Sequence, residues 1–340
     1  MSRLIISSLA LSLILSPLSA FAGASLYGNF RYSVGSVTDG TGYDGTLVAS
    51  DNTSLFGLKG SYGEGDIKAI FHMQAQSQAD AQGDKVAITQ RFYFAGLKTP
   101  MGMIKYGRMT NAYKLPGFKL DRFYNTAGIN VGGSYAAGGG TYGLSGATNG
   151  FTDNSIEYVS PKIADMIIVH VGMYIDDSKE VEGAGGKGEN GMAYGIKFAQ
   201  GPAELGVIMA TNGDSTARVP GIGAGESGTR VYGSYKGEGW TLGASYEMIT
   251  NGDADDLTYL YALGTYKFSP ATELIVSYGM VGSGPAEGTG VTAGVQHGIA
   301  DKTTLFALFS SASLAADDVA EDAPSAAVIG MFHNFSIEGN

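Results

Sequence analysis

The stretch IKAIFHMQAQ, residues 67–76, decides how the rest of the chain is read. Ile67, Ala69, Phe71, Met73 and Ala75 are apolar, and Lys68, His72, Gln74 and Gln76 stand between them. A period of two puts the two sets on opposite faces of a β-strand, one greasy and one mostly wet. The fold turns on the medium that the greasy face meets, protein interior or hydrocarbon.

Comparable alternation recurs from end to end. Sixteen segments carry it, near residues 26–35, 53–62, 66–77, 86–98, 102–108, 154–160, 165–175, 191–199, 203–211, 228–236, 239–249, 258–268, 272–281, 290–299, 303–311 and 326–335. Tight turns such as GEG (63–65), QGPA (200–203), KGEG (236–239) and SPAT (269–272) separate pairs of longer loops. Gly and Pro set turn geometry there and cannot continue a ladder. Long connections therefore gather on one rim and short ones on the other, as in an up-and-down antiparallel barrel.

The 340 residues include 53 glycines, 20 tyrosines and 15 phenylalanines, and 16% are charged. That charge fraction is low against a typical ~25%, too low for a sheet whose polar face meets bulk water. An open sheet of this size would leave its edges unpaired. In hydrocarbon, only closure satisfies every strand N–H and C=O. The apolar face is thus expected to meet lipid and the polar face water. Tyr174, Phe198, Tyr246, Tyr266, Phe268, Tyr278 and Phe335 are placed on the apolar face near strand ends, as interfacial girdles require.

Residues 1–22 read as a secretory signal peptide: Arg3, an apolar run to Leu15, Pro17 and then Ala20-Phe21-Ala22. Residues 23–340 form the barrel domain, with 20 basic and 32 acidic side chains and a formal charge of −12. This acidic balance offers no basic footprint for nucleic acid. With no cysteine, the exported chain has no disulfide framework. No cofactor or metal site is expected, since there is no Cys and no paired His. An enzyme is disfavoured because His72, His170, His297 and His333 sit in no nucleophile motif and neither G-x-S-x-G nor H-E-x-x-H occurs.

Four stretches in order resemble the general porins of Gram-negative outer membranes: LYGNFRYSVG (26–35), SLFGLKGSYGEGDIKAIFHMQ (54–74), QRFYFAGLKTPMGMIKYGR (90–108) and NSIEYVSPK (154–162). The resemblance implies a 16-stranded transmembrane β-barrel with long extracellular loops, short periplasmic turns and an inward-folded constriction loop. It also implies a homotrimer in the outer membrane, contact with outer-membrane lipid and lipopolysaccharide, insertion by the barrel-assembly machinery, and passive diffusion of small hydrophilic solutes and ions. Two departures stand out. The family usually ends on Phe, whereas here Phe335 is followed by the tail Ser336–Asn340, and Leu55 occupies a place where the family often has a channel-facing Arg.

Parity along the strands turns Tyr27, Asn29, Arg31 and Ser33 into the lumen, with Lys59, Lys68, Arg91 and Lys105. Arg108, at the end of the third quoted stretch, joins these candidates. The resemblance implies that the loop at about 109–153 narrows the barrel, and from 109 to 150 its one acid is Asp121. Family loops usually present several carboxylates to the basic wall, so this constriction is expected to be less acidic and to lean weakly toward anions. The acids in DDSKEVEG (176–183) and ADDVAED (316–322) read as a solvated rim. A substrate-specific channel is the alternative; it would show an aromatic ladder or dense basic track, and the inward Tyr27, Tyr93, Tyr232 and Tyr261 are too scattered for one.

Overall fold

Alternating segments from residue 24 onward become β-strands in the computed structural model, which describes residues 23–38, 45–77, 88–124, 126, 141–177, 189–284, 286–315 and 324–338. The expected signal peptide, residues 1–22, and most of the two acidic runs expected at the rim lie outside the described residues. The strands are β1 (Ala24–Thr38), β2 (Thr46–Asp51 and Ser54–Tyr62), β3 (Lys68–Ser77), β4 (Ile88–Thr99), β5 (Gly102–Met109), β6 (Thr152–Val159), β7 (Ile167–Tyr174) and β8 (Gly191–Gln200). They continue as β9 (Ala203–Thr211), β10 (Ser227–Lys236), β11 (Trp240–Asn251), β12 (Ala254–Ser269), β13 (Thr272–Val281), β14 (Gly288–Ala300), β15 (Thr303–Leu314) and β16 (Ser325–Glu338). Both segments of β2 pair with β1, so they are two halves of one barrel strand, and the count is sixteen.

Every neighbour is antiparallel, and β16 closes on β1 from Ser25↔Glu338 to Thr38↔Ser325. The pairing of the last strand with the first closes the barrel, as hydrocarbon around the strands demands. The last strand runs past Phe335: Ser336 to Glu338 pair with β1, and Ser25 Oγ donates to Glu338 at 3.0 Å. The expected short tail is therefore mostly strand. Phe335 packs on Phe30 at 5.8 Å between ring centres.

In β13 the alternation shows both environments. Val276, Tyr278 and Met280 are exposed on the outer face, while Ile275, Ser277 and Val281 are buried inside. Phe30, Phe56, Met73, Leu242, Tyr246, Val291 and Phe309 continue the exposed apolar belt on other strands. The buried apolar cluster instead lies within the barrel, where Tyr113, Phe123, Tyr142 and Leu144 of the loop after β5 meet Ile208, Tyr261, Leu263 and Ile275 of the wall.

Three expectations are corrected. Tyr174 is fully buried and faces inward, where its hydroxyl accepts from Ala112 N at 2.9 Å, because it shares the parity of His170. Tyr93 faces out and is 54% exposed. The cause is a bulge: Met73 pairs with Tyr93 and Ala75 with Gln90, so Arg91 and Phe92 together oppose Gln74 and the parity of β4 flips between them. Finally, β11 and β12 extend to a tight turn at Gly252-Asp253, replacing the loop expected over 250–257.

Candidate functional site

The segment between β5 and β6 enters the barrel and is built from short pieces. Helix α1 (Lys114–Leu120) begins where Asn111 Oδ1 accepts from Lys114 N at 2.9 Å. Pro116 fits the first turn, where its missing N–H has no intrahelical partner to lose. Asp121 N closes the helix on Gly117 O. The Asp121 carboxylate is buried and turned into the loop itself, accepting from Phe123 N, Thr141 N and Thr141 Oγ1 at 3.1, 2.9 and 2.7 Å. It clamps the two described limbs of the loop together. Burial raises its pKa to about 6, against the opposing effect of these bonds and of Arg31.

The loop is latched to the wall on the side of β10 and β11. Arg230 is fully buried; its Nη2 donates to Glu247 at 2.7 Å and to Thr148 Oγ1 at 2.8 Å, and its Nη1 to Tyr113 O at 3.1 Å. A Cβ on Gly117 would stand 2.6 Å from Arg230 Nη1, so glycine there lets the helix approach the guanidinium. Gly279 plays the same part farther round, since a Cβ would lie 1.9 Å from Tyr142 O. Between β9 and β10, a further loop folds over this one, with Val219 and Ile222 buried and Arg218 Nη2 donating to Asp153 O at 3.0 Å.

The opposite wall, β1 to β6, carries the basic arc. Thr53, at the break in β2, adopts φ 69, and Ser54 Oγ accepts from Arg31 N at 3.1 Å. Arg31 reaches the loop, donating to Tyr124 O at 2.9 Å, and lies 4.5 Å from the Phe332 ring centre. Arg91 is oriented by two amides, Nε to Gln74 at 3.0 Å and Nη1 to Gln76 at 2.9 Å, and Gln74 also donates to Tyr27 at 2.7 Å. Lys105 pairs with Glu157 directly across the β5–β6 ladder at 2.8 Å. A second bulge sets Asp153 and Asn154 against Arg108, which grips both Asp153 oxygens at 2.9 Å.

Phe151 gathers three of these cations. Its ring centre is 4.7 Å from Arg91, 5.0 Å from Lys114 and 5.5 Å from Arg108. Lys114 Nζ donates to Tyr124 Oη and Gly150 O. Burial, and then repulsion by Arg91, lowers its pKa to about 7. Arg31, Arg91 and Lys114 have no salt-bridge partner among the described residues, whereas Lys105 and Arg108 have one each.

The structure thus brings Arg31, Arg91 and Arg108 together near the loop, with Lys105 on the same wall. Lys59 lies lower, opposite His72 and 4.9 Å from the Tyr27 ring centre. Lys68 is at the short-turn rim opposite Lys98, away from the narrowing. Leu55 faces the lumen opposite Asn29, so no cation occupies that place. Parity reasoning missed Phe92, Phe151 and the Arg230–Glu247 latch; for Phe92 the available signal was the unbroken aromatic run Phe92-Tyr93-Phe94, which fits neither parity. Toward the short-turn rim a cavity of about 380 Å³ is lined by Lys119, Arg122, Glu204 and Lys236. Arg122 is paired there with Glu273, and Lys197 with Glu204 at 3.2 Å.

A closed barrel with an apolar belt outside, polar walls inside and a loop folded across its interior is a membrane diffusion channel. The profile of the Gram-negative porin family matches residues 8–313, and the chain belongs to that family. No curated protein matches the sequence. Among solved structures, the anion-selective porin from Comamonas acidovorans superposes with TM-score 0.75 at 16% identity, covering 92% of this chain and 99% of that one. OmpF of Salmonella typhi, in complex with daunomycin, gives 0.70 at 15% identity over 92% and 97%. The trimer form of OmpT, an outer membrane protein of Vibrio cholerae, gives 0.65 at 16% identity over 92% and 100%. Identities this low carry the fold. The protein is an outer-membrane channel for passive diffusion of solutes.

Proposed function

We propose that this channel passes small hydrophilic solutes and ions with weak selectivity leaning toward anions. In this reading Arg31, Lys59, Lys68, Arg91, Lys105 and Arg108 line one side of the path. Asp121, as the clamp of the loop, contributes no open carboxylate to the other. The observation that carries it is the pair Arg31 and Arg91, which have no salt-bridge partner among the described residues. Acids on a distant rim act over only about 8 Å at physiological salt, so the charges at the narrowing decide. The selectivity named for the Comamonas acidovorans porin accords with this reading.

The same reading makes the long-loop rim extracellular and the short-turn rim periplasmic. It makes the assembly a homotrimer in contact with lipid and lipopolysaccharide, inserted by the barrel-assembly machinery; the trimer form of the Vibrio cholerae protein supports the oligomer. The protein is read as a channel and not an enzyme: His297 and His333 bond to Thr272 and Thr303 at 2.8 Å on the outer face, and His72 is packed among aromatic rings.

Reversal potentials across a planar bilayer in a tenfold potassium chloride gradient test the selectivity. The expected potential has the sign of chloride permeation, and R31Q and R91Q each move it toward zero. Strong cation preference in the unmodified channel would refute the proposal.

A further inference from the structure

The bulge in β4 has an effect beyond turning Arg91 inward. It also turns Phe92 and Phe94 into the lumen, where they form a continuous aromatic surface with His72 and the loop residue Phe151. Phe94 meets His72 edge to face at 5.5 Å, His72 stacks on Phe92 at 4.5 Å, and Phe92 meets Phe151 edge to face at 5.0 Å. None of the four rings is buried. Tyr27 extends the surface, 5.7 Å from His72.

Cations border this surface along its length. Lys105 lies 5.5 Å from the Phe94 ring centre, Lys59 4.9 Å from Tyr27, and Arg91 4.7 Å from Phe151. Gln74 and Gln76 hold Nε and Nη1 of Arg91, leaving Nη2 without a protein hydrogen bond among the described residues. A small inorganic anion can use only the charges. A flat ring bearing a carboxylate can use both features, stacking on Phe92 or His72 while its carboxylate accepts from Arg91.

We infer that the β3–β4 wall carries a weak binding track for aromatic carboxylates, built from Phe94, His72, Phe92 and Phe151 with Arg91 as the anion anchor. This rests on the anion-leaning reading above and names the organic solutes that it favours. Occupancy is transient: a favourable aromatic pair adds only about 0.5–1.5 kcal/mol beyond the area it buries, or about two- to tenfold in affinity. A solute so held concentrates at the narrowing and still leaves.

Current block in planar bilayers tests the track with the full-length channel. Benzoate and cyclohexanecarboxylate share charge and approximate size, and only benzoate has a π face. The half-blocking concentration of benzoate is expected to be about two- to tenfold lower. F92L and F151L, which keep bulk and lose the ring, are expected to bring the two probes together, and R91Q to weaken block by both. Equal block by the two acids in the unmodified channel, or discrimination that survives in F92L and F151L alike, would overturn the inference. A chloride-signed reversal potential in the same bilayers, found alongside equal block, would leave the anion-leaning reading standing and remove only the aromatic track.

Discussion

Lys114 shows how burial can make a charge adjustable. Held against Tyr124 and Gly150 and repelled by Arg91, it has a pKa lowered from 10.5 to about 7, so it is mostly charged at pH 6 and mostly neutral at pH 8. Anion preference is therefore expected to fall between pH 6 and pH 8, and K114M should flatten that dependence; reversal potentials at both pH values give the answer. Arg230 is the opposite case, a charge fixed by a buried acid. R230M would strand Glu247 inside the wall, at a cost of about 3–5 kcal/mol, while R230M/E247L should recover most of that loss. Thermal unfolding of the single and double variants checks both halves of the expectation. Neither role was legible from one sequence: Arg230 meets Tyr113 across 117 positions of chain, and Lys114 looks like an ordinary loop lysine until the loop is docked.

The loop after β5 owes its position to close backbone approach as much as to charge. Tyr142 and Gly143 lie against Gly279 of β13, where a methyl group would collide with Tyr142 O. G279A should push that limb off the wall, raising single-channel conductance or flicker and lowering stability by about 1–3 kcal/mol, the usual cost of overpacking. An unchanged conductance trace would remove the limb from the list of elements that narrow the path. The strand segments were legible because each residue meets its own solvent, so the pattern repeats locally. The bulges were not, since one extra residue leaves composition untouched while it exchanges Tyr93 for Phe92 in the lumen.

For the barrel as a body, the absence of native cysteine allows single labels at any chosen place. Fluorophores on cysteines replacing Phe56, Val276 or Leu305 should be quenched by lipid-borne nitroxides. Labels replacing Lys59, Phe92 or Ser234 should respond to a water-soluble quencher instead. The Phe92 and Tyr93 positions are the sharpest pair, since labels at these adjacent residues should report opposite media. The formal net charge of −11 describes the whole chain and predicts little about its path. A permeating ion samples the few charges within a Debye length of the narrowing, where Arg31 and Arg91 have no salt-bridge partner among the described residues.

Alternation, turn chemistry and low charge by themselves determined a closed sixteen-stranded barrel with lipid outside and a long loop at 109–153. Those features follow from a backbone period of two acting between two solvents, one residue at a time. Tertiary structure alone decided that Asp121 turns inward to the loop, that Arg91 and Phe92 share one face, and that Arg230 secures the loop from across the barrel. Each depends on a register shift or on contacts between segments far apart in the chain, which a local two-residue repeat does not encode.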